Sequence, residues 1–342
     1  MANFLDVASN LLQSNAVKEK RAEFDRVFSA IGLLQAVHSK AQLDLNNIES
    51  IFTVFELGRV IQRIPGLKPE EIPQTISALK ELIVKTLEVT MRFPTRGSSI
   101  EAPKPYDAFA GLLSHLCFEA FPLQTASVIT FNYDIAADVA IYKAGLGPDY
   151  TFEHPPNSQK VVPLLKLHGS LNWATEKEGK RIRPLHLVNY FQHYSYTGHE
   201  TRGTTSVPIG TQLVEYFSKY EKIEVDAEPV IVPPSWNKAD YHKALSDVWA
   251  AAATHLSEAE HIFVIGYSMP ETDSFFRHLY ALGSVGKSPL RTFYVYNPDT
   301  SGLTTGRFQA LLGPAAKSRY MYRPLTFEQA IPEIMGFFPK RK

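Results

Sequence analysis

Two different spacings of apolar residues run along this chain. Up to about residue 121 the spacing is helical. Phe24, Val27, Ile31, Leu34 and Val37 recur at intervals of three and four, and Ile48, Phe52, Phe55, Val60 and Ile64 keep a similar rhythm. A third helix is predicted to begin between Pro69 and Pro73, where Glu70 and Glu71 suit the positive end of a helix dipole, and to run through Ile76, Leu79, Ile83 and Leu87 towards Phe93. Pro94, Gly97, Ser98, Ser99, Pro103 and Pro105 mark a loop, after which Tyr106 to Phe121 reads as another helix carrying Phe109, Leu112, Leu113, Leu116 and Phe118. Residues 1–121 are therefore expected to be helical almost throughout.

From Ala126 onward, apolar runs of strand length alternate with amphipathic segments of helix length. The predicted strands are Ser127–Phe131, Leu164–Leu167, Pro229–Val232, His261–Ile265, Thr292–Tyr296 and Arg319–Tyr322. Asp240 to Ala259 reads as a helix through Ala244, Leu245, Val248, Trp249 and Ala252, and Thr272 to Leu282 as another. Strand, helix and strand in repetition predict an α/β fold, a doubly wound parallel sheet over 122–342, joined to a largely helical region over 1–121 that covers the pocket. Segment 176–228, with its Tyr190-Phe-Gln-His-Tyr-Ser-Tyr196 stretch, reads as an irregular insertion.

Composition narrows the function classes. Lys plus Arg and Asp plus Glu both number 35, so the formal charge is zero and no global basic field of the kind that drives nucleic-acid binding is present. Cys117 is the single cysteine, which excludes an intrachain disulfide and a four-cysteine zinc module. No basic stretch leads into an apolar run at the N-terminus, and no window approaches the ~18 apolar residues of a membrane span. A cytoplasmic location without membrane contact is expected.

In open parallel sheets ligands bind beyond the carboxyl ends of the strands, so polar residues directly after apolar runs carry the chemistry. Four runs end this way: Val128-Ile-Thr-Phe-Asn-Tyr-Asp134, Leu164-Leu-Lys-Leu-His-Gly-Ser170, Phe263-Val-Ile-Gly-Tyr-Ser-Met-Pro270 and Tyr294-Val-Tyr-Asn-Pro-Asp299. Asn132 offers an amide donor and acceptor suited to a water or a ribose diol. His168 accepts a proton near neutral pH, and Gly169 lets backbone approach a ligand. Gly266 and Ser268 suit a phosphate. Taken singly, an Asn or a Gly-Ser after a strand is ordinarily a turn or helix cap, and a lone His is ordinarily a satisfied core residue. Asp134 is read evenly as fixing a ribose hydroxyl or as capping the helix after it. No Gly-x-Ser-x-Gly elbow makes Ser170 or Ser268 a nucleophile, and His186, His193 and His199 lack metal-ligand spacing. The one Gly-x-Gly, Gly145-Leu-Gly147, is followed by Pro148 and reads as a loop, not a dinucleotide fingerprint.

In order, Thr130-Phe-Asn-Tyr-Asp134, Leu167-His-Gly-Ser170, Ile265-Gly-Tyr-Ser268 and Asn297-Pro-Asp299 resemble the motif series of SIR2-like domains, and in particular the bacterial SIR2-like NADases of anti-phage defence. The likeness covers about residues 120–300. It implies a Rossmann-like fold and NAD as substrate, hydrolysed to nicotinamide and ADP-ribose without a metal. It also implies Asn132 and His168 as catalytic residues, with Thr130, Phe131, Asp134, Gly169, Ser170, Gly266, Tyr267, Ser268 and Asn297 around the dinucleotide. Abortive infection by NAD depletion, a homo-oligomer and a defence-system partner protein are implied with it. Sirtuin deacetylases have Gln where this chain has Phe131 and commonly a four-cysteine zinc module, which places deacylation behind hydrolysis. SIR2-like domains open with a strand ending in a Gly-Ala-Gly-x-Ser loop. Phe4-Leu-Asp-Val-Ala resembles the helical segment directly after that loop, which predicts an open slot beside the Ser127–Phe131 strand, weak NAD binding and lower stability than an upstream-extended form. A rival reading is a nucleotide-sensing or scaffolding module without turnover.

Overall fold

A computed structural model describes residues 4–35, 43–96, 99–152, 160–187, 191, 206–208, 216–232, 245–270, 274–283, 285–286 and 288–340. His193, His199 and the Tyr190–Tyr196 stretch, apart from Phe191, lie outside the described residues. The chain forms two compact units, each assembled from separated stretches: 1–93, 168–185 and 206–244 in one, and 94–167, 186–205 and 245–342 in the other.

The first unit is built mainly from helices Phe4–Gln13, Arg21–Gln35, Ile48–Ile61 and Glu71–Thr90. The expected periodicity appears in what is buried. Phe24, Val27, Ile31 and Leu34 line one face of the second helix, Ile48, Ile51, Phe52 and Phe55 one face of the third, and both pack on the fourth through Ile72, Ile76, Leu79 and Ile83. Each of these side chains contributes about 1.5–3 kcal/mol on full burial. The third helix starts where Asn47 Oδ1 accepts the Glu49 N–H at 2.9 Å, and it stops at Gln62 in the left-handed region (φ 54°). The fourth ends at Thr90 rather than near Phe93, and Arg92–Arg96 becomes a strand containing Pro94.

Residues 168–185 and 225–232 add an antiparallel element to this unit. Trp173–Thr175 pairs with Ile182–Pro184, with Trp173 wholly buried. Pro229–Val232, predicted as a strand of the parallel sheet, is corrected here. It makes a single antiparallel bridge, Gly169 to Ile231, with the Val230 N–H donating to the Trp173 carbonyl and the Val232 N–H to the His168 carbonyl. Pro229 has no N–H for a ladder, and the left-handed Gly169 (φ 80°) breaks the opposing strand, so regular pairing cannot extend.

In the second unit the chain is α/β. One parallel sheet has Val161–Lys166 at its centre, flanked by Val128–Thr130 and Gly147–Asp149, with Thr130 opposite Lys166 and Gly147 opposite Val161. Gly147–Asp149 falls where the sequence reads as a loop. As an edge strand it tolerates Pro148. The other parallel sheet centres on Thr292–Tyr296, between His261–Ile265 and Tyr320–Arg323. His261–Ile265 and Thr292–Tyr296 have the predicted bounds. Parallel neighbours need crossovers, which helices Ala136–Lys143, Ser274–Gly283 and Leu303–Leu311 provide. Among the described residues Val128–Thr130 and His261–Ile265 each carry a strand partner on one side only, and every residue of both is only partly buried.

Tyr106–Phe121 is helical as far as Ser114 and then makes one wider turn, His115–Glu119, before Pro122 forces an extended backbone. Leu112, Leu116 and Ala120 from this stretch pack with Tyr296, Ala330, Ile331, Ile334 and Phe338, fixing the last helix, Phe327–Gly336, against the second sheet. Among the described residues no helix is long and apolar enough to cross a membrane.

The last helix opens with a reciprocal cap in which Thr326 Oγ1 accepts from the Gln329 N–H and Gln329 Oε1 accepts from the Thr326 N–H. Thr326→Ala removes one arm of it. In urea titration we expect stability to fall by about 1 kcal/mol with an unchanged m-value.

Candidate functional site

The residues at the C-terminal ends of the parallel strands can be built up from the backbone. Immediately after Val128–Thr130 the chain turns through Phe131 to Asp134 before the helix Ala136–Lys143 begins. Thr130 Oγ1 accepts the Asn132 N–H at 3.1 Å, and Asp134 Oδ1 accepts the Ala136 N–H at 2.9 Å. Both bonds are short-range turn closures of the kind Thr and Asp favour. Asn132 stands exposed between them, with Nδ2 donating to the Tyr106 hydroxyl at 3.3 Å.

Beneath this turn lies a sealed polar network. Lys166, from the central strand, and Asp138, from the helix that follows the turn, are both fully buried, with Nζ 2.9 Å from Asp138 Oδ2. Lys166 Nζ also donates to the Asp134 carbonyl at 2.5 Å, and the Tyr150 hydroxyl donates to Asp138 Oδ1 at 2.5 Å. Burial pushes the Asp134 carboxyl above its ordinary range, and nearby Lys166 opposes that shift. One oxygen of the Asp134 side chain thus closes the turn ahead of the helix.

Phe131 faces the second sheet. Its ring stacks on that of Tyr267 with centroids 4.5 Å apart and planes 11° from parallel, and Phe276 meets both rings edge-on at 5.5 Å. The ends of Val128–Thr130 and His261–Ile265 thus converge on one aromatic cluster. Gly266 (φ 71°) donates its N–H to the Tyr296 carbonyl, and Met269 is also left-handed (φ 50°), so two residues in an uncommon backbone region bracket Tyr267 and Ser268. Arg307 Nη1 donates to the Ser268 carbonyl at 3.3 Å.

Asn297 is buried, and its Oδ1 accepts the Asp299 N–H at 2.9 Å. Asp299 in turn accepts from the N–H and hydroxyl of Ser301 and from the Thr304 N–H, bonds that hold its carboxyl well below the ordinary range. The Tyr322 hydroxyl closes the turn on the Asn297 and Asp299 carbonyls. Asn297-Pro-Asp299 is therefore a self-satisfied turn leading into the Leu303–Leu311 helix.

His168, Gly169 and Ser170 belong to the other compact unit. His168 is buried, and its carbonyl accepts the Val232 N–H. Ser170 is completely buried, donating its hydroxyl to Asn172 Oδ1 at 2.5 Å and its N–H to the Val230 carbonyl. Of the residues singled out from sequence, the structure gathers Thr130, Phe131, Asn132, Asp134, Gly266, Tyr267, Ser268 and Asn297 in one unit. It places His168, Gly169 and Ser170 in the other. Sequence reasoning missed Tyr106, Asp138, Tyr150, Lys166 and Arg307. The only available signal was Lys166 itself, a lone charge within an apolar strand-length run. Among the described residues no three His, Cys, Asp or Glu side chains group as a metal site would require.

Compared with known protein-family models and with curated proteins, the chain gave no match.

Stability is expected to respond at two places. A Cβ at Gly169 would overlap the Val230 carbonyl in addition to straining a left-handed backbone, whereas a Cβ at Gly266 meets open space. Gly266→Ala should cost only the backbone term of about 1–2 kcal/mol, and Gly169→Ala clearly more, as read by thermal melts of both variants. For the buried pair, Lys166→Met or Asp138→Leu alone leaves an uncompensated charge and should cost about 3–5 kcal/mol. The double variant should recover much of that loss in chemical denaturation, and equal, additive losses would show that the pair is not energetically coupled.

Proposed function

We propose that this chain is an NAD-consuming hydrolase with a Rossmann-like, SIR2-type arrangement, cleaving the bond between nicotinamide and ribose. The observation that carries the reading is Asn132. It stands exposed at the C-terminal end of a parallel strand, in a turn braced by Thr130, Asp134 and Lys166, with its amide nitrogen held by Tyr106. Among the described residues its Oδ1 has no protein partner. An amide oxygen so presented accepts from an O–H group, which suits a water or a ribose hydroxyl.

The chemistry asks for such a group. Nicotinamide leaves with the electron pair of the glycosidic bond and becomes neutral. The ribose carbon left behind is oxocarbenium-like and takes the oxygen of water, whose proton must be removed. In this reading Asn132 orients the water or the ribose hydroxyls; His168 is carried over from the motif resemblance alone as the group that removes the proton or polarises the ribose. Tyr267 and Phe131 offer an aromatic surface, and Gly266 and Ser268 offer backbone and hydroxyl groups to the rest of the dinucleotide. The motif resemblance adds the setting: cytoplasmic NAD depletion in anti-phage defence, by a homo-oligomer with a partner protein.

A second reading, a nucleotide-binding or scaffolding module without turnover, is favoured by a separate observation. Several predicted contact groups are already committed inside the protein: Ser170 Oγ to Asn172, Asn297 Oδ1 to Asp299 and Asp134 Oδ1 to Ala136.

Incubation with NAD decides between them. We expect stoichiometric nicotinamide and ADP-ribose from the native chain, and a loss of about 10²-fold or more in Asn132→Ala and in His168→Ala, measured below the melting temperature of each variant. Turnover unchanged in both variants removes these residues from the mechanism, and NAD binding by calorimetry without turnover moves the assignment to the binding module.

A further inference from the structure

Asn132 is exposed, and an exposed amide can reverse its nitrogen and oxygen unless a neighbour distinguishes them. Among the described residues Tyr106 is the hydrogen-bond partner of that amide. Tyr106 is itself well placed to discriminate. It begins the helix Tyr106–Ser114, which packs on both Ala136–Lys143 and Phe327–Gly336, and its ring stands edge-on to Phe327 with centroids 5.3 Å apart. We infer that Tyr106 sets which way the Asn132 amide faces, holding its nitrogen so that its oxygen is presented to a hydroxyl of the bound substrate.

The polarity lies in which end of the amide meets the hydroxyl. A phenol can donate or accept, so either end of the amide would fit it in isolation. Here the carboxylates of Asp134 and Asp138 lie close enough to act on Tyr106 electrostatically. In the structure the amide nitrogen is the end that meets the hydroxyl, at 3.3 Å, so the phenol oxygen accepts and its own hydrogen is directed away from Asn132. Burial, reinforced by these carboxylates, pushes the Tyr106 hydroxyl up to about 12, so it remains protonated at any working pH. Three contacts thus divide the labour within one turn. Thr130 and Lys166 hold the backbone on either side of Asn132, and among the described residues Tyr106 holds the functional group. Tyr106 is accordingly a positioning residue, acting through Asn132.

The inference deepens the proposed hydrolysis and rests on it for a kinetic readout. Tyr106→Phe keeps the ring and removes only the hydroxyl. It should lower kcat for nicotinamide release about 3- to 10-fold, the worth of one orienting hydrogen bond, leave KM within about twofold, and add nothing in the Asn132→Ala background. An unchanged kcat, or a full additive loss in the double variant, overturns it. A second readout is independent of turnover. In protein labelled with ¹⁵N-asparagine, the Asn132 side-chain amide should exchange with water faster in Tyr106→Phe than in the native chain, and equal exchange overturns the inference. If the native chain releases no nicotinamide, the hydrolase reading fails while this comparison still decides the positioning. Should Tyr106→Phe fold poorly, the reciprocal substitution at the exposed partner serves. Asn132→Ala removes the donor to the Tyr106 hydroxyl, so the ζ-¹³C resonance of Tyr106 should shift at neutral pH, and an unshifted resonance counts against the bond.

Discussion

A lysine ammonium and an aspartate carboxylate, both sealed from solvent, underlie the arrangement of the strand ends in the α/β unit. Removing two such ions from water costs several kcal/mol each, which their attraction offsets only when the remaining hydrogen-bonding capacity is also met. Lys166 and Asp138 meet it with the Asp134 carbonyl and the Tyr150 hydroxyl. The geometry has consequences in three directions. The pair ties the central strand to the Ala136–Lys143 helix, Tyr150 joins that helix to the chain just beyond the Gly147–Asp149 strand, and the second bond from Lys166 fastens the turn that carries Asn132. A hydrophobic pair of similar volume could fill the same space, but it could not donate to the Asp134 carbonyl. The network therefore makes better sense as a device for holding a loop than as a source of stability.

Around that anchor the chemistry divides into groups the protein uses for itself and groups it leaves open. Asp134, Asn297 and Asp299 close their own turns. The Asn132 side-chain oxygen is not used in this way, and its turn converges with the Gly266–Ser268 loop through the stacked rings of Phe131 and Tyr267. Polar residues at strand ends are thus of two kinds that look alike in sequence. Asn132 and Asn297 both come after apolar strands, yet the first has its nitrogen held and its oxygen open, while the second is buried with its oxygen committed to the backbone two residues on.

Much of the fold was legible because its signals are local. The three-and-four spacing of Phe24, Val27, Ile31 and Leu34 marks a buried helical face, and the apolar runs His261–Ile265 and Thr292–Tyr296 are strands with those bounds because a charged residue precedes each and the left-handed Gly266 or Asn297-Pro298 ends it. Pro229–Val232 misled because an apolar run says nothing about its direction or partner, and here the partner is the antiparallel stretch near Gly169. Gly147–Asp149 was missed because Gly and Pro signal a loop, although an edge strand accepts both. The polar network was invisible for a different reason. Lys166 meets Asp138 across 28 positions, and Tyr106 meets Asn132 across 26, distances that no short spacing rule covers. Asn132 itself was legible as a candidate, but the residue that orients it was not.

A braced turn that presents the Asn132 oxygen to a hydroxyl of NAD or to the attacking water is the centre of the proposed chemistry. A crystal structure of the protein with ADP-ribose tests it most directly. The ligand is expected at the C-terminal ends of the parallel strands, with Asn132 Oδ1 within hydrogen-bond distance of a ribose hydroxyl or an ordered water and Nδ2 still on Tyr106. A ligand bound elsewhere, or an Asn132 amide turned so that its nitrogen meets the ribose and its oxygen meets Tyr106, would contradict it.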